Sequence, residues 1–402
     1  MSAPIHRWFR YSAGFSGEWA NEVIAREKSN GRRHVLDPFA GSGTVLIEAE
    51  RREVEARGIE AHPFVHRIGR AKLLWRDDWR PFWKRAGELA RRAASEAPPL
   101  GEYPPLVYKC FPEDTLRRLN ALRFAWQSQA DGSPISELLW LALTACLREC
   151  SPVGTAQWQY ILPNKTKARA LDPVRAFEAK AQMFVADMQA RQRQPLGPPA
   201  VLAADDAREC DSVPDRWADL VITSPPYANN YDYADATRLE MSFFGEVSGW
   251  GDLQEAVRRH LVRSCTQHVS ALETELDEYL AGPLLAPIVP ELKKVCGQLA
   301  REREGHGGKK AYHLMVAGYF SDLARVWKAL RRVTADDARV CFVVGDSAPY
   351  GIYVPVDRWL GELALASGFK SLRFEKTRDR NTKWKNRKHR VPLHEGRLWV
   401  EG

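Results

Sequence analysis

The sequence predicts an α/β fold built on a largely parallel sheet. Short apolar runs rich in β-branched residues recur along the 402 residues, and helical patterns separate most of them. The last two runs have no helix between them, which predicts an antiparallel hairpin at one edge. The predicted strands are residues 34–36, 54–59, 200–203, 220–223, 340–344, 372–375 and 397–400. Because crossovers between parallel strands are right-handed, we expect a ligand crevice at the carboxyl ends of these strands.

Two segments interrupt the alternation of predicted strands and helices, and both are predicted to be helical insertions. Residues 76–199 contain a proline-rich linker and two apolar helical patterns, one over residues 136–150 and one that begins after Asp172 and Pro173. Residues 246–310 are charged and mostly helical in pattern. The sequence therefore predicts an α/β core with two insertions, the core being made of residues 1–75, 200–245 and 311–402.

Bulk properties narrow the functional classes. Apolar residues make up 45% of the chain, which suits a folded globular protein, and the formal charge of +8 favours a polyanionic partner. The N-terminus lacks the apolar segment of a signal peptide, and no run approaches the roughly 18 apolar residues of a membrane span. We expect a cytoplasmic protein without a membrane partner. The seven cysteines form no C-x-x-C pair, so we expect buried thiols and no metal site.

A glycine-rich turn follows the first predicted strand. Residues 37–44 read Asp-Pro-Phe-Ala-Gly-Ser-Gly-Thr, and a helical pattern comes next. Glycines let the backbone approach a ligand closely, and a helix N-terminus offers free amides. The turn lacks the Gly-Lys-Ser/Thr ending of a phosphate loop and the third glycine of a dinucleotide fingerprint. Acidic residues follow the next two strands, where they can bind ribose hydroxyls and an adenine amino group: Glu60, Asp205 and Asp206.

A second turn ends the apolar run of residues 220–223. It reads Ser224-Pro225-Pro226-Tyr227. The two prolines make the turn stiff, so a small hydrogen-bond acceptor and an aromatic ring are presented at one place. Such a turn can hold a flat ring that carries an amine.

Together, these residues resemble the S-adenosylmethionine-dependent DNA amino-methyltransferases. The cofactor motif of that family reads Asp-Pro-Phe-x-Gly-Ser-Gly-Thr, and its catalytic motif reads Asp/Asn/Ser-Pro-Pro-Tyr/Phe/Trp. The resemblance implies a Rossmann-like class I methyltransferase sheet, S-adenosylmethionine as the cofactor and double-stranded DNA as the substrate. It implies that the cofactor is bound by Phe15, Asp37, Pro38, Phe39, Ala40, Gly41, Ser42, Gly43, Thr44, Glu60, and Asp206 or Asp205, and that Ser224, Pro225, Pro226 and Tyr227 are catalytic.

The chemistry of amine methylation explains the second turn. The lone pair of an exocyclic amine is delocalised into its ring, and acceptors that hold both amine hydrogens favour the localised lone pair. Ser224 and the carbonyl of Pro225 are the candidate acceptors, and Tyr227 is the candidate stacking platform. The target base must be flipped out of the duplex.

The residue pair at the start of the turn indicates which base is methylated. Thr223-Ser224 resembles enzymes that methylate the 4-amino group of cytosine, so N4-methylcytosine is the expected product. Methylation of adenine at N6 is the alternative. A protein that binds DNA through this fold without catalysis is a second alternative, and an RNA methyltransferase is less favoured. No Pro-Cys dipeptide is present, which disfavours methylation at the cytosine ring carbon.

Two basic and aromatic segments are candidates for DNA contact. The first lies in the 76–199 insertion, which we expect to supply much of the sequence recognition, and the second lies between the last two strands. The candidate residues are Trp158, Tyr160, Lys165, Lys167, Arg169, Arg380, Lys383, Lys385, Arg387 and Lys388. No nuclease motif is recognised, so any restriction endonuclease would be a separate protein.

Overall fold

The chain folds around one mixed sheet of seven strands. The computed structural model describes residues 3–11, 15–155, 160–167, 169–269, 275–380 and 391–402. The strands of the main sheet are β1 (His34–Asp37), β2 (Glu55–Ile59), β5 (Val201–Ala203), β6 (Ala218–Thr223), β7 (Thr334–Gly345), β8 (Ser371–Arg380) and β9 (Leu393–Glu401). A separate hairpin within the first insertion consists of β3 (Val153–Thr155) and β4 (Ile161–Thr166).

The sheet order is β5-β2-β1-β6-β7-β9-β8. The first five of these strands pair in parallel, whereas β9 runs antiparallel to both β7 and β8. The predicted mostly parallel α/β sheet with an antiparallel terminal hairpin is therefore confirmed. Strands β1 and β6 are direct neighbours, with Val35 opposite Leu220. This pairing brings the loops that follow β1 and β6 to adjacent places at the carboxyl edge of the sheet.

The helices cover both faces of the sheet and build the insertions. They are α1 (Gly17–Ser29), α2 (Thr44–Arg51), α3 (Pro63–Leu73), α4 (Trp79–Ser95), α5 (Pro105–Cys110), α6 (Glu113–Gln127), α7 (Pro134–Cys150), α8 (Pro173–Gln192), α9 (Arg238–Phe244), α10 (Leu253–Ala256), α11 (Leu276–Leu280), α12 (Val289–Gly305), α13 (Tyr312–Val333) and α14 (Val356–Ala366).

The 76–199 insertion carries the two predicted apolar helices, α7 and α8. Asp172 caps α8 by accepting a hydrogen bond from the backbone N–H of Arg175 at 3.1 Å, and Pro173 begins the helix, as expected. Large side chains such as Trp140 and Phe184 are fully buried in a core shared with α3, α4 and α6. The insertion is thus packed as one body with the neighbouring part of the α/β core.

Two features differ from the sequence expectation. The first insertion was expected to be helical, but it also contains the antiparallel β3–β4 hairpin, whose β-branched valine, isoleucine and threonines favour extended backbone. The 246–310 segment was expected to be mostly helical, yet only α12 is a long helix there. Its other helices are single turns, because prolines, glycines and short polar stretches interrupt the pattern.

None of the described helices is both long and apolar enough to cross a bilayer.

Candidate active site

The glycine-rich loop connects β1 to α2. Gly41 and Gly43 adopt left-handed backbone angles, with φ of +53° and +85°, which glycine reaches without strain. The loop is closed by a hydrogen bond from the N–H of Gly43 to the carbonyl of Ala40 at 2.8 Å. A Cβ atom on Gly41 would lie 3.5 Å from the ring of Tyr11, so the backbone here runs directly beneath an aromatic side chain.

Asp37 links this loop to the second predicted motif. Its carboxylate accepts hydrogen bonds from the N–H of Phe39 at 3.1 Å and from the hydroxyl of Thr223 at 2.6 Å. The Asp37 side chain is buried, and this burial raises its pKa to about 7. The two motifs, separated by 186 residues in sequence, are thus in direct contact.

Glu60 is the carboxylate at the end of β2. Its two oxygens accept hydrogen bonds from the backbone N–H groups of Gly41 and His62, each at 2.8 Å. Desolvation of the carboxylate raises the pKa of Glu60 to about 7, although these two hydrogen bonds act in the opposite direction. Each oxygen has a further lone pair with which it can accept from a ligand.

The two acids after β5 have different surroundings. Asp206 faces the cavity described below, and both of its oxygens accept hydrogen bonds from Arg208. Asp205 instead accepts from the N–H and the hydroxyl of Ser212, at 2.8 and 2.7 Å, and does not line that cavity. Of the two candidates for adenine binding, the geometry favours Asp206, and its role stays a prediction.

The Ser-Pro-Pro-Tyr turn follows β6. The hydroxyl of Ser224 donates to the carbonyl of Val343 on the neighbouring strand at 3.2 Å, so the lone pairs of its oxygen stay available as acceptors. The N–H of Tyr227 donates to the hydroxyl of Tyr233 at 3.3 Å. The guanidinium of Arg380 lies 5.4 Å from the centre of the Tyr227 ring and donates to the carbonyl of Asp346. Arg380, a predicted DNA contact, therefore lies beside the turn itself.

A cavity of about 450 Å³ joins the two motifs. That volume falls within the roughly 300–1,000 Å³ of small-molecule sites. The predicted residues that line it are Phe15, Asp37, Pro38, Phe39, Ala40, Gly41, Ser42, Thr44, Glu60, Asp206, Ser224 and Pro226. Four other predicted residues are not in its wall, namely Gly43, Asp205, Pro225 and Tyr227. Ser224 and Pro226 therefore face the same space as the glycine-rich loop.

Sequence reasoning missed several residues of the cavity wall. They are His62, Tyr233, His260, Leu261 and Val262, among others. His62 is buried and its ring lies 3.0 Å from the hydroxyl of Thr237; burial lowers its pKa to about 3, so the ring is neutral. His6 and Tyr11, which also line the cavity, belong with Phe15 to an N-terminal segment whose sequence resembles the cofactor motif of the amino-methyltransferases. Residues 260–262 had no such signal, because they come from the second insertion.

The N-terminal segment that carries Tyr11 is held by two buried charged side chains. Asp187 of α8 accepts hydrogen bonds from the N–H of Ile5 at 2.9 Å, from the indole of Trp8 at 3.0 Å and from the guanidinium of Arg7. Lys72 of α3 donates to the carbonyls of His6 and Phe9, at 3.2 and 3.1 Å. The segment is thus clamped between the core and the first insertion.

The predicted DNA contacts lie in two regions of the sequence, one at the β3–β4 hairpin and one that begins at the end of β8. The hydroxyl of Tyr160 accepts from the N–H of Asp232, five residues after the turn, at 2.6 Å. Lys165 and Arg169 are exposed, whereas Lys167 is half-buried and donates to the carbonyl of Arg148. Five candidates lie outside the described residues: Trp158, Lys383, Lys385, Arg387 and Lys388. All of these roles stay predictions.

Known proteins provide an independent comparison. The chain is 25% identical over 416 residues to the type II methyltransferase M.BsoBI of Geobacillus stearothermophilus, which covers 92% of this chain and 79% of that protein. It is also 25% identical over 405 residues to the type II methyltransferase M.AvaI of Nostoc sp. strain PCC 7120, with 92% and 80% covered. These relatives are methyltransferases. No protein-family model and no solved structure matches the chain.

The similarity extends over nearly the whole chain and agrees with the Rossmann-like sheet, so the methyl donor is S-adenosylmethionine. The cavity fits this cofactor. Its wall combines apolar side chains with the carboxylates of Asp37, Glu60 and Asp206, which suit a cation that also carries ribose hydroxyls and an amino group. Burial raises the pKa values of Asp37 and Glu60, and neither carboxylate has an ion pair with a described residue, so a bound cation would favour their ionised forms.

Proposed function

We propose that this protein is a site-specific DNA methyltransferase that transfers a methyl group from S-adenosylmethionine to the exocyclic 4-amino group of a flipped-out cytosine. The supporting observation is that Ser224 and Pro226 line the same cavity as the glycine-rich loop. The hydrogen bond between Thr223 and Asp37 holds the two motifs together at the carboxyl edge of the sheet. The similarity to type II methyltransferases supports DNA modification in general.

The residues of the turn would prepare the amine for attack. The Ser224 oxygen has free lone pairs, and the carbonyl of Pro225 belongs to the same stiff turn, so the two can accept the two amine hydrogens. Holding these hydrogens out of the ring plane localises the lone pair on nitrogen. When bound, the cofactor supplies an electrophilic methyl carbon: the N–C bond forms, the C–S bond breaks and the extra proton leaves the nitrogen for solvent. The ring of Tyr227 would stack on the base.

Cytosine is proposed over adenine because Ser224 is preceded by Thr223. The Thr223 hydroxyl is used by Asp37, so Ser224 is the hydroxyl left to face an amine in the cavity. The preference for the 4-amino group of cytosine rests on the resemblance of Thr223-Ser224 to enzymes that methylate this group. N6-methyladenine is the competing product.

Product analysis tests this proposal. The purified protein is incubated with isotope-labelled S-adenosylmethionine and unmethylated DNA, and the nucleosides are identified by mass spectrometry. We expect labelled N4-methylcytosine, and a Ser224→Ala variant should lose roughly 10²-fold in kcat because a positioned hydrogen-bond partner is removed. Ser95→Ala, an exposed serine at the end of α4, is the matched control.

Other products of the same incubation would change or overturn this assignment. Labelled N6-methyladenine would replace the cytosine assignment while keeping DNA methylation. Product in RNA alone, or cofactor binding without product in any nucleic acid, would overturn the proposal.

A further inference from the structure

Two further cavities flank the segment that follows the Ser-Pro-Pro-Tyr turn. One, of about 660 Å³, is lined by Asn230 and reaches Tyr160 of the β3–β4 hairpin. The other, of about 510 Å³, is lined by Asn229 and reaches Arg380 at the end of β8. Tyr160 and Arg380 belong to the two regions that the sequence analysis associated with DNA.

The same two lysines line both cavities. Lys309 and Lys310, at the end of the second insertion, are in the wall of each. The two cavities are therefore halves of one trough that runs along the segment after the turn, with this lysine pair between them. Nothing in the sequence analysis gave this pair a role.

Hydrogen bonds fix the backbone turn that carries Lys309 and Lys310. The side chain of Arg303 donates to the carbonyl of Gly308 at 2.7 Å, and the N–H of Gly308 returns a hydrogen bond to the carbonyl of Arg303 at 3.0 Å. Gly307 and Gly308 both have positive φ, at +75° and +72°, which makes this tight turn possible. The carbonyl of Lys310 accepts from the N–H of Tyr312, the first residue of α13.

The charge of the lysine pair is not neutralised within the described part of the chain. Both side chains are exposed, and neither has an ion pair with a described residue. The acids that line the trough, in contrast, each have a basic neighbour. The pairs are Asp232 with Arg258 at 2.7 Å, Asp235 with Arg238 at 2.8 Å, and Asp346 with His394 at 2.8 Å. The two ammonium groups therefore make the trough attractive to anions.

Aromatic rings accompany the lysines. The ring of Tyr350 stacks on that of His306 at 4.4 Å between centroids and meets Tyr312 edge-on at 4.7 Å. Tyr312 also lies 5.9 Å from the Lys310 ammonium. On the other side of the pair, Trp250 is 40% exposed in the wall of the larger cavity. Cations interleaved with partly exposed aromatic rings are the combination that binds nucleic acid strands through phosphates and base stacking.

We propose that the turn of residues 303–310 is a DNA contact, with Lys309 and Lys310 binding backbone phosphates of the strand that passes the Ser-Pro-Pro-Tyr turn. This inference rests on the proposed function, and it assigns to the second insertion a role in holding the substrate. The strand runs along the trough from the β3–β4 hairpin to the β8–β9 hairpin. The lysine pair contacts it next to the base that enters the active site.

The test is a salt titration of DNA binding by the full-length chain. The double variant Lys309→Gln/Lys310→Gln is compared with Lys293→Gln/Lys294→Gln, an adjacent exposed pair on α12 of the same insertion. Lys294 lies nine helical residues before Arg303, or roughly 14 Å along the helix axis at 1.5 Å per residue. Cofactor binding and the melting temperature are measured for each protein, since both should match the wild type.

We expect the slope of log K against log salt to become shallower by about 1.8 in the Lys309/Lys310 variant, as two phosphate contacts are lost. The affinity difference from the wild type should then shrink roughly tenfold between 50 and 200 mM salt. An unchanged slope, or an equal change in the Lys293/Lys294 control, would overturn the phosphate contact. If the wild type methylates DNA and only the slope prediction fails, the proposed function stands. If the wild type neither binds nor methylates DNA, both fail.

Discussion

The two insertions support different segments of the core. The 76–199 insertion shares a continuous apolar core with α3 and the N-terminal segment, and the stacked rings of Trp8 and Phe184 lie 4.2 Å apart across that boundary. The 246–310 insertion packs Val262, Leu285 and Leu292 into the apolar core, and it also contacts the segment after the Ser-Pro-Pro-Tyr turn through polar groups. The N–H of Asn230 donates to the carbonyl of Ser264 at 3.1 Å, and Asn230 in turn accepts from Thr266.

The two insertions also support different parts of the candidate site. The first insertion, which we expected to read DNA, also holds the N-terminal segment over the cofactor cavity through Asp187. The second insertion, to which we assigned no role, supports the segment after the turn through the buried pair of Arg258 and Asp232. Variants in each should therefore affect different steps.

The largest effect is expected for Asp187→Ala in the first insertion. The change removes the acceptor of three buried or half-buried donors and leaves them unpaired, so the free energy of unfolding should fall by about 3–5 kcal/mol. Denaturant unfolding measures this loss, and calorimetry should show weaker cofactor binding. Glu178→Ala, exposed on the same helix, is the control. If Asp187→Ala and Glu178→Ala lost equal free energy of unfolding, Asp187 would not hold the N-terminal segment.

The second prediction concerns Arg258→Lys in the other insertion. Lysine keeps the charge but cannot make both hydrogen bonds to Asp232, so we expect a loss of about 1.5–3 kcal/mol in the free energy of unfolding. Because the segment after the turn would shift, kcat should fall at least roughly tenfold while cofactor affinity is retained. Arg259→Lys, an exposed neighbour, should behave like the wild type. If Arg258→Lys lowered the cofactor affinity and left kcat unchanged, the second insertion would support cofactor binding and not the methyl-transfer step.

The pH dependence of cofactor binding tests the cavity that the first insertion supports. The pKa values of Asp37 and Glu60 are raised to about 7, so each carboxyl group destabilises the cofactor-free fold increasingly as pH rises from 4 to 7. A cationic cofactor favours the ionised form. Affinity should therefore increase at least about tenfold from pH 6 to pH 8, as the ionised fraction of such a group rises.

In Glu60→Gln, only the contribution of Asp37 remains, so the same titration by calorimetry should give a shallower profile. Glu55→Gln, an exposed residue of the same strand, should keep the steep one. A flat profile in the wild type would show that neither carboxylate ionises in this range.

The smallest effect is expected where the first insertion touches the segment after the turn. Tyr160→Phe removes the acceptor for the N–H of Asp232 but keeps the ring that packs 5.1 Å from Tyr231. We expect a loss of about 0.5–1.5 kcal/mol, read as a several-fold decrease in kcat/KM for DNA. Tyr108→Phe is a matched control, because the Tyr108 hydroxyl also accepts from a backbone N–H. Equal effects of the two variants would remove Tyr160 from the active-site neighbourhood.

Local patterns predicted much of the fold. The seven strands of the main sheet lie where the apolar runs were found, because β-branched runs between turns favour extended backbone in nearly any context. The cap of α8 was read from Asp172 and Pro173 for the same local reason. The β3–β4 hairpin was missed because its strands are short and its residues mostly exposed, so they show no apolar alternation.

The features of the candidate site also fall into those that the sequence predicted and those that only the structure revealed. The glycine-rich loop and the Ser-Pro-Pro-Tyr turn are each made of contiguous residues with a distinctive chemistry, so the sequence by itself determined them and the strands that carry them. Only the tertiary structure decided that Thr223 binds Asp37, that Asp205 turns away to Ser212, and that Lys309 and Lys310 line a cavity with the segment after the turn. Contacts between distant segments depend on how the sheet and the insertions pack, and no local pattern encodes that packing.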